Sequence, residues 1–287
     1  MDSERAERNL KLTIEYDGTS FHGWQSQPGL RTVQGTLAEV MGHLTGEAAE
    51  ISGASRTDRG VHALGQVATW RTRTPIPEER LARVLNGLLP EDIRIRQAEE
   101  VEPGFHARFS ALAKRYSYLL DRRAVESVFV SRRALHYPDS LDVGSMREAA
   151  SVIVGEHDFA AFRCSSGREE DDAREPTIRT IYRVDVEECA GLLSVVVLGR
   201  SFLYKMVRTI VGSLLEVGRG KWSIRRLAEG MASLDRRRLG PTLPPKGLCL
   251  EEVYYDQIRL DRAIEAPAEQ NPGQPKDPRN PFSGSHL

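Results

Sequence analysis

Apolar and polar positions alternate from Leu10 to Tyr16 (Leu-Lys-Leu-Thr-Ile-Glu-Tyr), the period of a half-buried strand, and Asp17-Gly18 ends the run. The period then changes. Val33, Leu37, Val40, Met41 and Leu44 recur at helical spacing on one face, with Gly46 placed to cap the end. Glu50-Ile51-Ser52 and Gly65 to Trp70 read as strands again, Pro77 opens a second helix carrying Leu81, Val84, Leu85 and Leu88, and Ile93-Arg94-Ile95 begins another strand. Strand, helix, strand, strand, helix, strand is the order of a split βαβ, or ferredoxin-like, unit.

A second passage through the same plan follows, with insertions. Arg115 to Leu120 makes a strand, Met146 to Val154 a helix ended by Gly155, Ile181 to Val186 and Leu192 to Leu198 two strands, and Phe202 to Val217 a long helix closed by Gly218. The halves share element order and no visible sequence identity. The expected class is α+β, with one half over residues 8–108, a second over 109–260, and a disordered tail over 261–287, where prolines, Gln, Asn and Gly accumulate.

With 287 residues of which 40% are hydrophobic, the chain can bury a proper core. No apolar run approaches the roughly 18 residues of a membrane span, and the amino terminus is charged with no apolar stretch behind it, so a cytoplasmic protein is expected. Cys164, Cys189 and Cys249 are too few and too far apart for a disulfide framework or a zinc site, and His62, His106 and His157 are not at metal-ligand spacing. A net charge of -1 does not itself suggest nucleic acid, but the basic residues are segregated. Arg200, Lys205, Arg208, Arg219, Lys221, Arg225 and Arg226 face only Glu216 in their stretch, while Glu99, Glu100 and Glu102 and Glu169 to Asp172 gather elsewhere. A basic face for a phosphate backbone fits that segregation.

Candidate chemistry concentrates in Gly53-Ala54-Ser55-Arg56-Thr57-Asp58-Arg59-Gly60-Val61-His62-Ala63, a turn between two predicted strands, where sites are commonly built. Asp58 lies between two guanidiniums, a setting in which a carboxylate is expected to stay ionised, as a nucleophile must. The string resembles the Arg-Thr-Asp-x-Gly-Val-His signature of the TruA family of tRNA pseudouridine synthases. Further blocks resemble that family in its order: Phe105 to Ser110 running into Lys114 to Tyr118, Gly155 to Phe159, Phe202 to Arg208, and Lys246 to Leu250. There are two departures. Arg59 stands where the family usually has a small residue, and Leu243-Pro244-Pro245-Lys246 replaces an Ala-Pro pattern.

The resemblance implies two ferredoxin-like halves sharing an extended antiparallel sheet with a central cleft. It implies a homodimer that isomerises uridines 38 to 40 of the tRNA anticodon arm without cofactor, metal or nucleotide. Asp58 would be the catalytic carboxylate acting on a flipped base, attacking uracil C6, ribose C1′ or a ribose proton. Tyr116 would stack on the base, Arg208 and Arg56 would serve the substrate, and Leu248 would lie against the uracil. Lys205, His22, Trp24, Gln25 and Arg59 are candidate tRNA contacts. Periodicity adds that Leu203, Val207, Ile210 and Leu214 form one stripe of the long helix, with Lys205, Arg208 and Gly212 opposite, so that Arg208 should project away from the core. A non-catalytic RNA-binding module would use the same basic and aromatic surface with no need of Asp58. A carboxylate-dependent hydrolase would need a second, acidic carboxylate that no motif supplies.

Overall fold

The computed structural model describes residues 6–165 and 176–266, and these form two compact units. The first runs to Leu112 and takes back Cys249–Tyr255 from near the end of the chain. The second comprises the described residues of Ala113–Leu248 and 256–266. A sequence division at residue 108 carries no hint of that returning segment.

In the first unit, strand β1 (Arg8–Tyr16) is followed by helix α1 (Val33–Thr45), strands β2 (Ile51–Gly53) and β3 (His62–Thr72), helix α2 (Glu78–Leu88) and strand β4 (Ile93–Val101). The pairing order is β4-β1-β3, with β2 on β3, antiparallel throughout, as the ferredoxin-like reading requires. Local chemistry accounts for the elements. Thr32 accepts from the Gly35 amide to start α1, and Gly46 ends it at a φ of 76°, a conformation that suits glycine. Leu10, Leu12 and Ile14 of β1, Leu37 and Met41 of α1, and Leu81 and Leu85 of α2 are all fully buried. The returning strand β10 (Leu248–Tyr254) pairs in parallel with β3, Cys249 opposite His62 and Leu250 opposite Ala63. A Cβ on Gly65 would stand 2.3 Å from the Glu251 carbonyl, so that close approach requires glycine there.

In the second unit, β5 (Ala113–Asp121), β6 (Leu135–His136), α3 (Val143–Ser151), β7 (Gly155–Asp158), β8 (Ile178–Cys189) and β9 (Leu192–Gly199) precede the long helix α4 (Met206–Gly218) and helix α5 (Ile224–Ala232). Its strands run β5-β9-β8-β7, antiparallel, with the short β6 added in parallel to β5. The final helix, α6 (Gln257–Glu265), also belongs to this unit.

Several expectations need correction. Helix α3 begins at Val143, because the Asp142 carboxylate accepts from the Ser145 amide and caps it, and Gly155 at φ +118° opens β7. Residues 261–265 are helical, because Asp256 caps α6 and Leu260 is buried; residues 267–287 of the expected tail lie outside the described ones. Helix α4 is buried almost all round, not along one stripe. Among the described residues no helix is long and apolar enough to cross a membrane.

Candidate active site

The Asp58 loop leaves β2 and is fixed at nearly every step. Gly53 lies under the Trp24 indole, which a Cβ there would meet at 2.4 Å. The Ala54 amide donates to the Val67 carbonyl at 2.7 Å. The fully buried Gln66 side chain then holds both backbone groups of Ser55, accepting from its amide at 3.2 Å and donating to its carbonyl at 2.7 Å. Thr57 is held through its hydroxyl, 2.7 Å from the Tyr16 hydroxyl, and through its carbonyl, which accepts from the Trp24 amide at 3.0 Å. Beyond it the Val61 amide donates to the Asp58 carbonyl at 3.1 Å, closing a turn whose third residue, Gly60, has φ +78°. Asp58 is thereby presented half-buried on a rigid turn.

Two elements support this turn from beneath. Gly23, at φ +93°, brings the backbone so close that a Cβ would stand 2.8 Å from the Thr57 carbonyl and 3.2 Å from the Asp58 carbonyl carbon. His62, at the head of β3, places Nδ1 3.1 Å from the Gly18 amide and 3.3 Å from an Asp17 carboxylate oxygen. One ring nitrogen cannot accept from the first and donate to the second at once, so these two contacts are alternatives. Burial opposes ionisation of Asp17, but hydrogen bonds from His62 and Thr19 outweigh it and hold the carboxyl well below the ordinary carboxylate range.

In the second unit, Tyr116 is 7% exposed on β5 and meets the Phe202 ring edge-on, with centroids 5.2 Å apart and an interplanar angle of 83°. Tyr118, on the same side of the strand, is fully buried, and its hydroxyl donates to the Pro244 carbonyl at 2.7 Å. Burial pushes the Tyr118 hydroxyl far up, and the Arg208 guanidinium draws it only partly back. The two tyrosines of the Arg-Tyr-x-Tyr strand are therefore different objects, one a core fastener and one the candidate platform.

Arg208 does not project into solvent. It is 9% exposed, and its Nε donates to the Leu243 carbonyl at 2.6 Å. The reason is a strap, residues 236–247, laid along the helix face that the sequence pattern left open. Gly212 and Gly240 make room for it: a Cβ on Gly212 would stand 1.9 Å from the Pro241 carbonyl, and one on Gly240 would stand 2.6 Å from the Gly212 backbone. The strap is pinned by Thr242, whose hydroxyl accepts from Arg236 at 2.8 Å and lies 3.1 Å from both the Thr209 hydroxyl and the Cys164 sulfur. Burial raises the Cys164 thiol, yet contacts to Thr242 and Arg236 prevail and bring it below its ordinary value.

The other sequence candidates divide. Arg56 and Arg59 are exposed beside Asp58 in the chain. Trp24 is 1% exposed and packs under the loop, where it supports the turn. Gln25 is exposed and bonded to Gln34 at 2.9 Å. His22 is half-buried, with Nδ1 lacking a hydrogen-bond partner among the described residues. Lys205 precedes α4 in a left-handed conformation, φ +60°, its ammonium 4.6 Å from the Tyr204 ring. Leu248, 7% exposed, opens β10. Phe202, Gln66 and the Thr242 strap escaped the sequence reading. Only Phe202 had a signal, its place in the block ending at Arg208.

Comparison with known proteins adds to this geometry. A family model described as tRNA pseudouridine synthase matches residues 12–110 and 149–256. A tRNA pseudouridine synthase A of Acetivibrio thermocellus is 46% identical over 248 residues, 86% of this chain and 100% of that one. The enzyme of the same name from a Geobacillus species (strain WCH70) is 44% identical over 250 residues, 87% of this chain and 99% of that one. A crystal structure of the archaeal box H/ACA sRNP Nop10-Cbf5 complex covers 84% of this chain and 71% of its own at 12% identity and a TM-score of 0.29, a likeness too slight to carry an argument.

Proposed function

Because the chain belongs to the tRNA pseudouridine synthase family, an isomerase family, we propose that it converts uridines 38 to 40 of the tRNA anticodon arm to pseudouridine, with Asp58 as the attacking carboxylate. The reaction breaks the bond between N1 and C1′, turns the ring, and joins C1′ to C5, with a proton lost at C5 and one gained at N1. Atoms and electrons balance within the substrate, so the step calls for no oxidant or reductant. It does call for an ionised carboxylate at a fixed point and for a base out of its stack. The rigid Thr57-Asp58 turn is the observation that carries this reading. A carboxylate held by Gln66, Tyr16 and Trp24 through its neighbours loses little freedom when substrate arrives.

Tyr116, Arg208 and Leu248 are substrate-binding residues in this proposal, Tyr116 as a stacking face for the uridine and Arg208 as a cation for an anionic group. Arg56, Arg59, Lys205, His22 and Gln25 contribute to tRNA binding. The setting is cytoplasmic, where tRNA is modified, and the working form is a homodimer. The exposed Val125, Val128 and Phe129, each at least 80% exposed, offer an apolar surface that a second copy would cover. Light scattering of Phe129→Asp tests the last point: a monomer is expected, and an unchanged dimer removes this surface from the assembly.

Asp58→Asn tests the chemistry. The change is nearly isosteric, and most affinity for RNA comes from phosphate contacts, so tRNA binding should persist while tritium release from C5-labelled uridine falls to background. Turnover near that of the unaltered protein would take the role away from Asp58.

A further inference from the structure

A second feature of the first unit faces outward. Phe105-His106-Ala107-Arg108-Phe109-Ser110 follows β4, and Phe109 is 77% exposed at its tip, more than any other phenylalanine of this unit among the described residues. Exposure of a large ring is ordinary on a mobile tip. This tip is fixed.

The His106 amide donates to the Ser110 hydroxyl at 3.0 Å, and the Ser110 amide donates back to the His106 carbonyl at 2.9 Å. His106 Nδ1 accepts from the Arg108 amide at 3.0 Å and lies 3.4 Å from the Phe109 amide, which sets that nitrogen as the unprotonated one. From the unit's body, the Tyr255 hydroxyl donates to the Ala107 carbonyl at 2.6 Å and the Asn9 side chain to the Phe105 carbonyl at 2.9 Å. Ala107 is fully buried, and Phe105 packs against Tyr255 with centroids 4.9 Å apart and the rings tilted by 55°. The turn is thus anchored on both sides of an apolar ring that it holds in water.

The ring's company is polar and cationic. The Arg108 guanidinium lies 5.6 Å from its centroid, and the imidazole of His106 lies 4.5 Å away, tilted by 41°. An exposed π-face with a cation over the ring suits an unpaired nucleotide, whose base stacks on the ring while the guanidinium swings to its phosphate. A protein partner would be served better by a wider contiguous apolar patch.

We propose that Phe109, with Arg108 and His106, is a stacking platform for an unpaired base of the RNA substrate and takes no part in the chemistry itself. The proposal rests on the chain acting on RNA, as its family does. It predicts a preference for a ring and not merely for apolar bulk.

The test uses the full chain and an unmodified tRNA transcript. Phe109→Ala and Phe109→Leu should both raise Kd and KM by about tenfold, within the range for loss of one base–aromatic stack, with kcat at saturating tRNA unchanged. Phe109→Trp should retain the affinity, and its added fluorescence should be quenched by tRNA. Arg108→Ala should lower the slope of log affinity against log salt by about one unit. Leucine binding as tightly as phenylalanine, or alanine without effect, overturns the platform. A drop in oligomeric mass with unchanged tRNA affinity overturns it too and makes the surface a protein contact. Failure of the functional reading looks different, since the unaltered protein itself would then neither bind nor modify tRNA.

Discussion

Around Asp58 the turn closes on itself and its approach is held from nearby, while Tyr16 and Trp24 add two holds from farther upstream. The Asp58 carbonyl and Val61 amide close the turn, Gly60 supplies its positive φ, and Gln66, eleven positions along from Ser55, holds the approach. Around Arg208 the partner is the Leu243 carbonyl, 35 positions downstream on a strap that contains no regular helix or strand of note. Residue types inside a short turn dictate its conformation, so such a site can be read from a string. The exposure of a helix face is dictated by what lands on it, and the strap that lands on α4 leaves no periodic trace.

Gly212→Ala should break the comparison most severely on the α4 side. The new methyl would stand 1.9 Å from the Pro241 carbonyl, so the strap must shift. Overpacking of this kind costs about 1–3 kcal/mol, and here it also pulls Leu243 from Arg208. A lowered melting temperature together with a lowered kcat is expected from thermal denaturation and steady-state turnover. A variant with unaltered kcat would show that Arg208 needs no strap.

Arg208→Ala and Arg225→Ala sharpen the same point with less disturbance. Arg208 is 9% exposed and bonded to a backbone carbonyl, whereas the Arg225 side chain is 88% exposed and pairs with Glu229 at 2.9 Å. Loss of Arg208 should reduce turnover at saturating tRNA and also cost about 1–3 kcal/mol of stability, since a buried carbonyl loses its donor. Loss of Arg225 should at most lower the salt slope by about one unit, with kcat unchanged. Equal effects of the two substitutions on salt-dependent affinity alone would put Arg208 outside the site.

The first unit was legible nearly element by element because its caps and breakers sit where the pattern changes period: Thr32 and Gly46 around α1, Pro77 before α2, and Asp17-Gly18 after β1. The second was less so. Helix α3 was placed late because its cap, Asp142, lies ahead of the apolar spacing, and β7 is only four residues long. Strand β10 was read as a motif and not as a strand of the first unit, since nothing local says which sheet a returning strand will join. Among candidate site residues, the turn chemistry nominates Asp58, whereas only family resemblance nominates Tyr116. An aromatic in a Gly-rich loop reads equally as a contact or as packing, and the Trp24 indole packs on Gly53.

Asp17→Asn should have the smallest effect, and it probes whether the frame of the Asp58 turn depends on charge. The folded carboxyl titrates below its ordinary value of 3.8, with burial opposing ionisation and the hydrogen bonds from His62 and Thr19 overcoming it. A group whose pKa is depressed by folding adds stability that is fully present above its unfolded value and is lost as pH falls toward the folded one. The unaltered protein should therefore be more stable than Asp17→Asn at pH 7, and the gap should narrow as pH drops below about 4. Urea midpoints at pH 7 and pH 3 measure it. At neutral pH the variant should also keep most of its turnover, because Gln66, Tyr16 and Trp24 still hold Ser55 and Thr57. A gap that stayed constant with pH would mean that Asp17 acts through the shape of its cap on Thr19 and not through its charge. A large loss of turnover at pH 7 would mean that the turn takes its order from this one carboxylate and is less self-contained than its own hydrogen bonds make it.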